Sequence, residues 1–374
     1  MVHMKTVFFT VCHDYAAALP TAVARVFDQS QWLSAESLGG KKVLVKPNML
    51  TDRTPEQAVT THPEFLRQVI RNLRQRGAQI TVGDSPASAA NLKAVWEKTG
   101  IAAVCKQEGV ALISFEQAGS KVIRRGGYEF SIAKPALATD IILNLPKVKS
   151  HSLTVLTAAV KNLYGVIPGY TKTILHRNHP KISDFGMLVK SIHSCLPPVW
   201  SIADGVIGME GQGPANGTPV SLGFIAASQN PFALDIAICQ TLGIAPARVP
   251  YLGDSGDLAA NAPLIKGDFI RVESFKIPAG AHLLSRMPVW LIRNSTGLIW
   301  VRPAFSDEKC VQCGLCVKAC PVEALILGQD RKAPHLNTEL CITCSCCHEV
   351  CPADAIQMRQ SSLLRLAGAF KGLR

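Results

Sequence analysis

Nine of the chain's thirteen cysteines lie between Cys310 and Cys351. They form two runs, Cys310-Val-Gln-Cys313-Gly-Leu-Cys316-Val-Lys-Ala-Cys320-Pro321 and Cys341-Ile-Thr-Cys344-Ser-Cys346-Cys347-His-Glu-Val-Cys351-Pro352. Both obey C-x2-C-x2-C-x3-C-P, and four cysteines of the first run recur 31 residues later in the second. Such a fixed period marks the duplication of a whole site. Three thiolates two residues apart on a tight loop wrap three corners of one iron–sulfur cube, while the fourth begins a helical turn that points away and serves the other cube. The spacing therefore assigns Cys310, Cys313, Cys316 and Cys351 to one [4Fe–4S] cluster and Cys341, Cys344, Cys347 and Cys320 to a second. Gly314 relieves crowding where backbone approaches sulfide, and Pro321 and Pro352 stop the ligand turns from running on as helix. Structural zinc favours two separated C-x2-C pairs closing at four ligands, which these triplets do not match. Disulfides are disfavoured in a reducing compartment. Cys346 is additional: a bystander thiol, a replacement ligand or a redox-reactive group. Cys12, Cys105, Cys195 and Cys239 stand singly in apolar surroundings, as small buried hydrophobes do.

The segment 306–358 resembles the bacterial two-cluster ferredoxin module. The resemblance implies a small α+β domain that carries single electrons and has an electron donor or acceptor protein as partner. The charge is divided along the same line. This segment carries seven acids and four bases, a net −3, whereas the whole chain is +12. The remainder is thus strongly basic, which suits an anionic ligand. Continuous Lys/Arg blocks interleaved with aromatics are missing, so nucleic acid is not expected.

The rest alternates short apolar strands with helices. Strands are expected at Val43–Lys46, Gln79–Gly83, Val110–Phe115, Asp140–Leu145, Val199–Asp204 and Leu222–Ser228. Helices are expected at Pro63–Arg76, Asn91–Thr99, Leu153–Tyr164 and Pro231–Leu242. This pattern implies an α/β core with a largely parallel sheet. Several strands run straight into polar clusters: Lys46-Pro47-Asn48, Asp84-Ser85-Pro86, Lys147-Val148-Lys149-Ser150-His151 and Asp204-Gly205. In open α/β sheets ligands bind outside the carboxyl ends of the strands, so these clusters meet in one crevice if their strands are parallel neighbours. On the expected helix Leu153–Tyr164, Thr154, Thr157 and Lys161 share a stripe. Lys172 and His176 share a face if Thr171–His176 is helical, and His62 is placed to cap the helix that follows it. The five glycines of Asp204–Gly217 could offer N–H groups to a phosphate or carboxylate, or simply make turns. Neither a dinucleotide fingerprint nor a Walker motif accompanies them.

The strings Lys46-Pro-Asn, Thr61-His62-Pro63, Gly83-Asp84-Ser85-Pro86, Leu145-Pro-Lys-Val-Lys-Ser-His151, Val160-Lys-Asn-Leu-Tyr-Gly165 and Met209-Glu-Gly-Gln-Gly-Pro214, taken in order, resemble the prokaryotic family catalogued as domain of unknown function 362. Its members are often fused to a two-cluster ferredoxin module. The resemblance covers roughly 43–242 and implies redox chemistry only through the ferredoxin part. The expected organisation is an α/β domain at 1–277, a bridge at 278–305, the ferredoxin module at 306–358 and a basic tail at 359–374. Leu283–Arg293 in the bridge reads as amphipathic. A run of about 20 apolar residues is lacking, so no transmembrane segment is expected. The N-terminus does not read as a secretory signal, which leaves the cytoplasm as the expected location. The expected function is electron transfer through two clusters to an anionic small molecule. Lys46, Lys147, Lys149 and Lys161 would hold the anion with Asn48, Asn162 and His176, and Asp84, His151 and Asp204 would move protons or hold a metal. The alternatives are a carrier whose large domain only docks proteins, and a binding protein with structural clusters.

Overall fold

The computed structural model describes residues 5–278, 300–329 and 332–362. The expected amphipathic stretch Leu283–Arg293 and most of the basic tail lie outside the described residues.

The large domain is built on a ten-stranded sheet. Its strands are β1 (Thr6–Val11), β2 (Lys42–Pro47), β3 (Gln79–Asp84) and β4 (Ala111–Ser114); a separate hairpin, β5 (Ser120–Arg125) and β6 (Tyr128–Ala133), intervenes. The sheet then continues with β7 (Ile141–Leu145), β8 (Lys147–His151), β9 (Val155–Thr157), β10 (Val199–Glu210), β11 (Thr218–Ser228) and β12 (Leu264–Gly267). The order is β12-β1-β11-β10-β7-β2-β3-β4. From β10 to β4 every pairing is parallel, and β11 runs antiparallel to both of its neighbours. The expected α/β class with a largely parallel sheet is what the chain adopts.

The strands read as continuous apolar runs because both faces are covered. Val43, Val45, Ile141 and Leu143 pack with Leu19, Val23, Leu66 and Ile70 from the helices Ala18–Gln29 and Pro63–Gln75. Leu44 and Ile142 face the other way, toward Phe185, Leu188, Leu234 and Ile238 from the helices Ile182–His193 and Pro231–Thr241. Two cores sandwich one sheet.

One expected element is different. Leu153–Tyr164 is not one helix: it is β9, then a helix of one turn at Ala159–Asn162, then a 3-10 turn at Leu163–Val166. The apolar spacing of Leu153, Leu156, Val160 and Leu163 arises because both pieces are buried, so the helical period was coincidental. β9 folds back antiparallel on β8, with Val155 at φ 68, a conformation that a β-branched residue rarely adopts. The turn that follows is held from outside: Asp235 accepts the N–H groups of Ala159 at 2.7 Å and Val160 at 3.0 Å. Thr154, Thr157 and Lys161 therefore share no helical stripe.

The C-terminal module carries β13 (Val301–Phe305), β14 (Leu325–Ile326), β15 (His335–Leu336) and β16 (Ile356–Gln360), with one-turn helices at Leu315–Lys318 and Cys346–Glu349. β13, inside the stretch read as a bridge, pairs antiparallel with β16. The duplication extends to the backbone. Left-handed residues occur at Gln312, Gly314 and Glu323, and again 31 positions on at Thr343, Ser345 and Asp354. The Cys320 sulfur accepts the Ala324 N–H at 3.2 Å, and the Cys351 sulfur accepts that of Ala355 at 3.4 Å. Cys346 stands where the first repeat has Leu315.

Candidate functional site

β2, β3 and β7 are parallel neighbours, and β10 lies beside β7, so the polar clusters at their carboxyl ends do converge. Lys46, Asn144 and Ser201 stand in register across three strands. Their row continues that of Leu44 and Ile142, on the face toward Ala159–Asn162. Pro146 separates β7 from β8, which carries on along β10 and places Lys149 and His151 beyond the end of β7.

The result is a small cavity of ≈ 80 Å³. Eight of the expected residues line it: Lys46, Asn48, Asp84, Lys149, His151, Lys161, Asn162 and His176. Lys172, Glu349, Tyr164 and Thr157 line it too. The far wall belongs to the cysteine module, through Ala319, Cys346, Glu349 and Val350. Lys172 and His176 lie on the helix Thr171–Asn178, one turn apart as their spacing implied. Glu349 had no signal in the sequence, because nothing there joins the module to the crevice.

Four lysines face two carboxylates. Lys46 Nζ lies 2.7 Å from Asp84 Oδ1 with both side chains buried. Burial pushes the ammonium down and the carboxyl up, and their contact opposes both shifts. Gly165 makes room for this pair, since a Cβ there would stand 2.6 Å from Lys46 Nζ. Lys149 Nζ donates to Asn48 Oδ1 at 2.9 Å and to the Val59 carbonyl at 2.6 Å, and burial pushes its pKa down to about 7. Lys172 Nζ donates to the carbonyl and hydroxyl of Ser85 and to the Pro86 carbonyl, the last at 2.7 Å; burial takes it to about 7 as well. Lys161 Nζ lies over the rings of Tyr164 and Phe185, 4.7 and 5.6 Å from their centroids.

Orientation is set by a buried chain of amides. Because Lys149 needs an acceptor, Asn48 offers its oxygen and turns its Nδ2 to Asn162 Oδ1 at 2.9 Å. Asn162 Nδ2 donates to Asn144 Oδ1 at 2.8 Å, and Asn144 Nδ2 donates to Ser201 Oγ at 3.1 Å. His151 Nδ1 accepts the Leu153 N–H at 3.0 Å, which assigns the ring proton to Nε2. That nitrogen lies 3.4 Å from Glu349 Oε1. Burial holds His151 well below the ordinary histidine range, so it is a neutral donor. His176 is stacked on Phe185 and is likewise held down to about 3 by burial. Burial raises Glu349.

Two expected residues lie elsewhere. Lys147 Nζ donates to Asp204 Oδ2 at 2.8 Å and to the Tyr15 hydroxyl at 2.6 Å, all within the large domain. Tyr15 stacks on His62 with ring centroids 3.6 Å apart, and His62 caps its helix through Glu64 N–H at 3.2 Å. The glycines of Asp204–Gly217 serve close packing. A Cβ at Gly205 would lie 2.6 Å from the Phe224 ring and one at Gly208 would lie 2.7 Å from the Val148 carbonyl, while Gly213 backs onto Ser150.

The cysteines surround two further voids. One is lined by Cys310, Cys313, Cys316 and Cys351; the other by Cys320, Cys341, Cys344 and Cys347. The two sets are exchanged between the repeats as the spacing requires. Each set of four thiols lines its own void. Eight sulfur donors in two sets of four, each around a void, fit two iron–sulfur cubes. Cys346 lines the crevice and neither of the two voids, and its thiol makes a side-chain hydrogen bond with Cys344.

Residues 43–240, more than half of the chain, match the family model described as Domain of unknown function (DUF362). The chain is a member of the DUF362 family. Residues 304–358 of this DUF362 protein match a 4Fe-4S dicluster domain, and the protein is an iron–sulfur protein. It is similar to the thylakoid-associated protein sll1697 of Synechocystis sp., 31% identical over 247 residues that make up 64% of this chain and 77% of that one. Two solved structures resemble it weakly. The lactate racemase apoprotein from Thermoanaerobacterium thermosaccharolyticum gives a TM-score of 0.41 at 11% identity, covering 62% of this chain and 56% of that one. A Thermotoga maritima protein gives 0.33 at 15% identity, covering 51% and 50%. The DUF362 chain thus spans little more than half the length of these structures. Among its described residues no helix is long and apolar enough to cross a membrane.

Proposed function

We propose that this DUF362 protein passes single electrons from two [4Fe–4S] clusters to a small anionic molecule held between its two modules. The observation that carries the reading is the composition of the cavity wall. Ala319, Cys346 and Val350 line the cavity, and each is the chain neighbour of a proposed cluster ligand: Cys320, Cys347 and Cys351. A ligand in the crevice therefore touches the cluster-bearing loops themselves. Bound clusters would supply single electrons at potentials the loops tune; Cys310, Cys313, Cys316 and Cys351 would hold one, and Cys341, Cys344, Cys347 and Cys320 the other.

The protein's own groups do the rest. If all are charged, the four lysines exceed the two carboxylates by two, so the cavity suits a dianion or a monoanion that gains charge on reduction. Lys46 and Lys149 each have an N–H beyond the acceptors described above, and both can anchor a carboxylate. His151 presents Nε2–H as a hydrogen-bond donor on the side of the module's Glu349. Asp84 neutralises Lys46, and Lys147 and Asp204 neutralise each other at the base of β8. Electrons would enter on the module's outer side, where Cys313 is exposed beside Val311. Ile326, Leu327 and Leu340 are also exposed on the module, and Asp307, Glu308 and Glu339 suit a basic donor protein.

Anaerobic protein should contain about eight iron and eight sulfide per chain. After reduction by dithionite and its removal, a panel of small oxo acids, dicarboxylates and phosphates should include one that reoxidises the clusters. Lys149→Met should slow that reoxidation about tenfold or more, since a charge-assisted hydrogen bond contributes about 1.5–3 kcal/mol, with iron content unchanged. Equal rates in the two proteins, or reoxidation by no member of the panel, would overturn the reading.

A further inference from the structure

Lys161 differs from the other three cavity lysines. Lys46 has Asp84, Lys149 has two oxygen acceptors, and Lys172 has three, one for each of its N–H bonds. Among the described residues Lys161 Nζ has no hydrogen-bond acceptor and no carboxylate within ion-pair distance; its close contacts are the two ring faces. Lys161 is half-buried, and an ammonium partly withdrawn from water is only weakly repaid by ring faces. A neutral amine in the same place loses less by that withdrawal.

The backbone holds this lysine firmly. It sits on the one-turn helix capped by Asp235, next to Asn162 in the amide chain. Such care over the placement of an unpaired amine is hard to explain as charge balance, because the cavity already has a cationic excess. A lysine partly desolvated beside other cations is instead a common way to keep an amine nucleophilic near neutral pH.

We propose that Lys161 is a covalent catalytic residue that forms an imine with the carbonyl carbon of a small oxo acid bound in the cavity. Lys149 and Lys46, each with an N–H to give, hold the substrate carboxylate. The neutral Lys161 amine adds to the carbonyl carbon. The carbonyl oxygen then leaves as water, carrying away the two protons of the amine, so the step needs neither oxidant nor reductant. Withdrawal from water lowers the basicity of Lys161, Glu349 and Cys346 oppose it without cancelling it, and Lys46 adds a smaller lowering. His151 Nε2–H is the neutral donor at hand for the departing oxygen. The rings of Tyr164 and Phe185 shield the nitrogen on one side from water.

This inference names the substrate class for the cavity assigned above, and its test reads a covalent adduct, not electron transfer. The anaerobic, cluster-loaded protein is incubated with glyoxylate and cyanoborohydride, denatured, weighed and mapped. One carboxymethyl group should appear on Lys161, saturating below the glyoxylate concentration that labels exposed lysines such as Lys93, whose side chain is 84% exposed. Oxalate, a dianion without a ketone or aldehyde, should compete. Lys161→Arg should abolish the specific label while retaining iron. Labelling confined to exposed lysines, or identical labelling of wild type and Lys161→Arg, would overturn the proposal. If labelling fails while small-anion reoxidation persists, only the covalent role falls; if the label forms but no anion reoxidises the clusters, the electron-transfer reading falls instead.

Discussion

Cys320 belongs to the first cysteine run by sequence and to the second void by position. Its neighbours across that void are Cys341, Cys344 and Cys347, and its sulfur already accepts the Ala324 N–H. Cys320→Ala should therefore remove the cluster of the second run and leave about four iron atoms, with the electron paramagnetic resonance of the first cluster retained. Loss of the first cluster instead would mean that ligands are not exchanged between the repeats. The exchange was legible because a cysteine motif carries its own geometry. The lysines were legible for a different reason: polar residues at the ends of parallel neighbours must meet, and Lys46, Asp84, Lys149 and His151 do. Lys147 shares the reading of Lys149 in sequence but not its surroundings. Its partner Tyr15 lies 132 positions away along the chain, before the first helix, and no local pattern announces that pairing. Lys161 was expected on the site although the helix expected to carry it does not exist, so its residue type was informative where its period was not.

At the scale of elements, the segment from Leu153 to Val166 teaches the most. A run of buried apolar residues looks helical whenever its pieces happen to face the same core, and only length and partners separate helix from strand. Here the partner is Asp235, on the helix Pro231–Thr241 beneath the turn. It is fully buried, and burial raises its pKa to about 7. Its two oxygens replace the acceptors that a longer helix would have supplied to Ala159 and Val160. Asp235→Ala leaves two buried N–H groups without acceptors, and the expected loss is about 2–4 kcal/mol. Anaerobic chemical denaturation should report it, and Asp235→Asn, which keeps one oxygen, should lose less. The local disorder of Lys161 should follow, so glyoxylate labelling at that residue should fall in step. A loss within about 0.5 kcal/mol, the range of an ordinary surface change, would show that the turn stands without its cap.

Across the whole molecule, the proposed function rests on the contact between a basic α/β domain and an acidic cysteine module. Arg53, just past β2, is the centre of that contact. Its side chain is only 7% exposed. Nη2 donates to the Cys351 carbonyl at 2.7 Å, to Asp354 Oδ1 at 2.8 Å and to Asn216 Oδ1 at 3.0 Å. Asn216 in turn donates to the His348 carbonyl at 3.2 Å, and Ala87 and Ala89 pack against the module's core. One guanidinium thus ties the strand ends that build the crevice to the loop that carries Cys351. Sequence reading could not find it, because an arginine in a loop has no periodicity and its partners lie about 300 residues away. Arg53→Ala should leave both cysteine sets and the iron content intact, since none of its contacts is made by a sulfur. It should loosen the wall formed by Ala319, Cys346, Glu349 and Val350 and admit water to the lysines. The reduced variant should then react with ferricyanide, which needs no binding site, as fast as wild type. Its reoxidation by the small anion should fall about tenfold or more, for the loss of charged hydrogen bonds worth about 1.5–3 kcal/mol. Equal losses with both oxidants would point to damaged clusters. Unchanged rates with both would mean that electrons leave by a face other than the one Arg53 holds against the cavity.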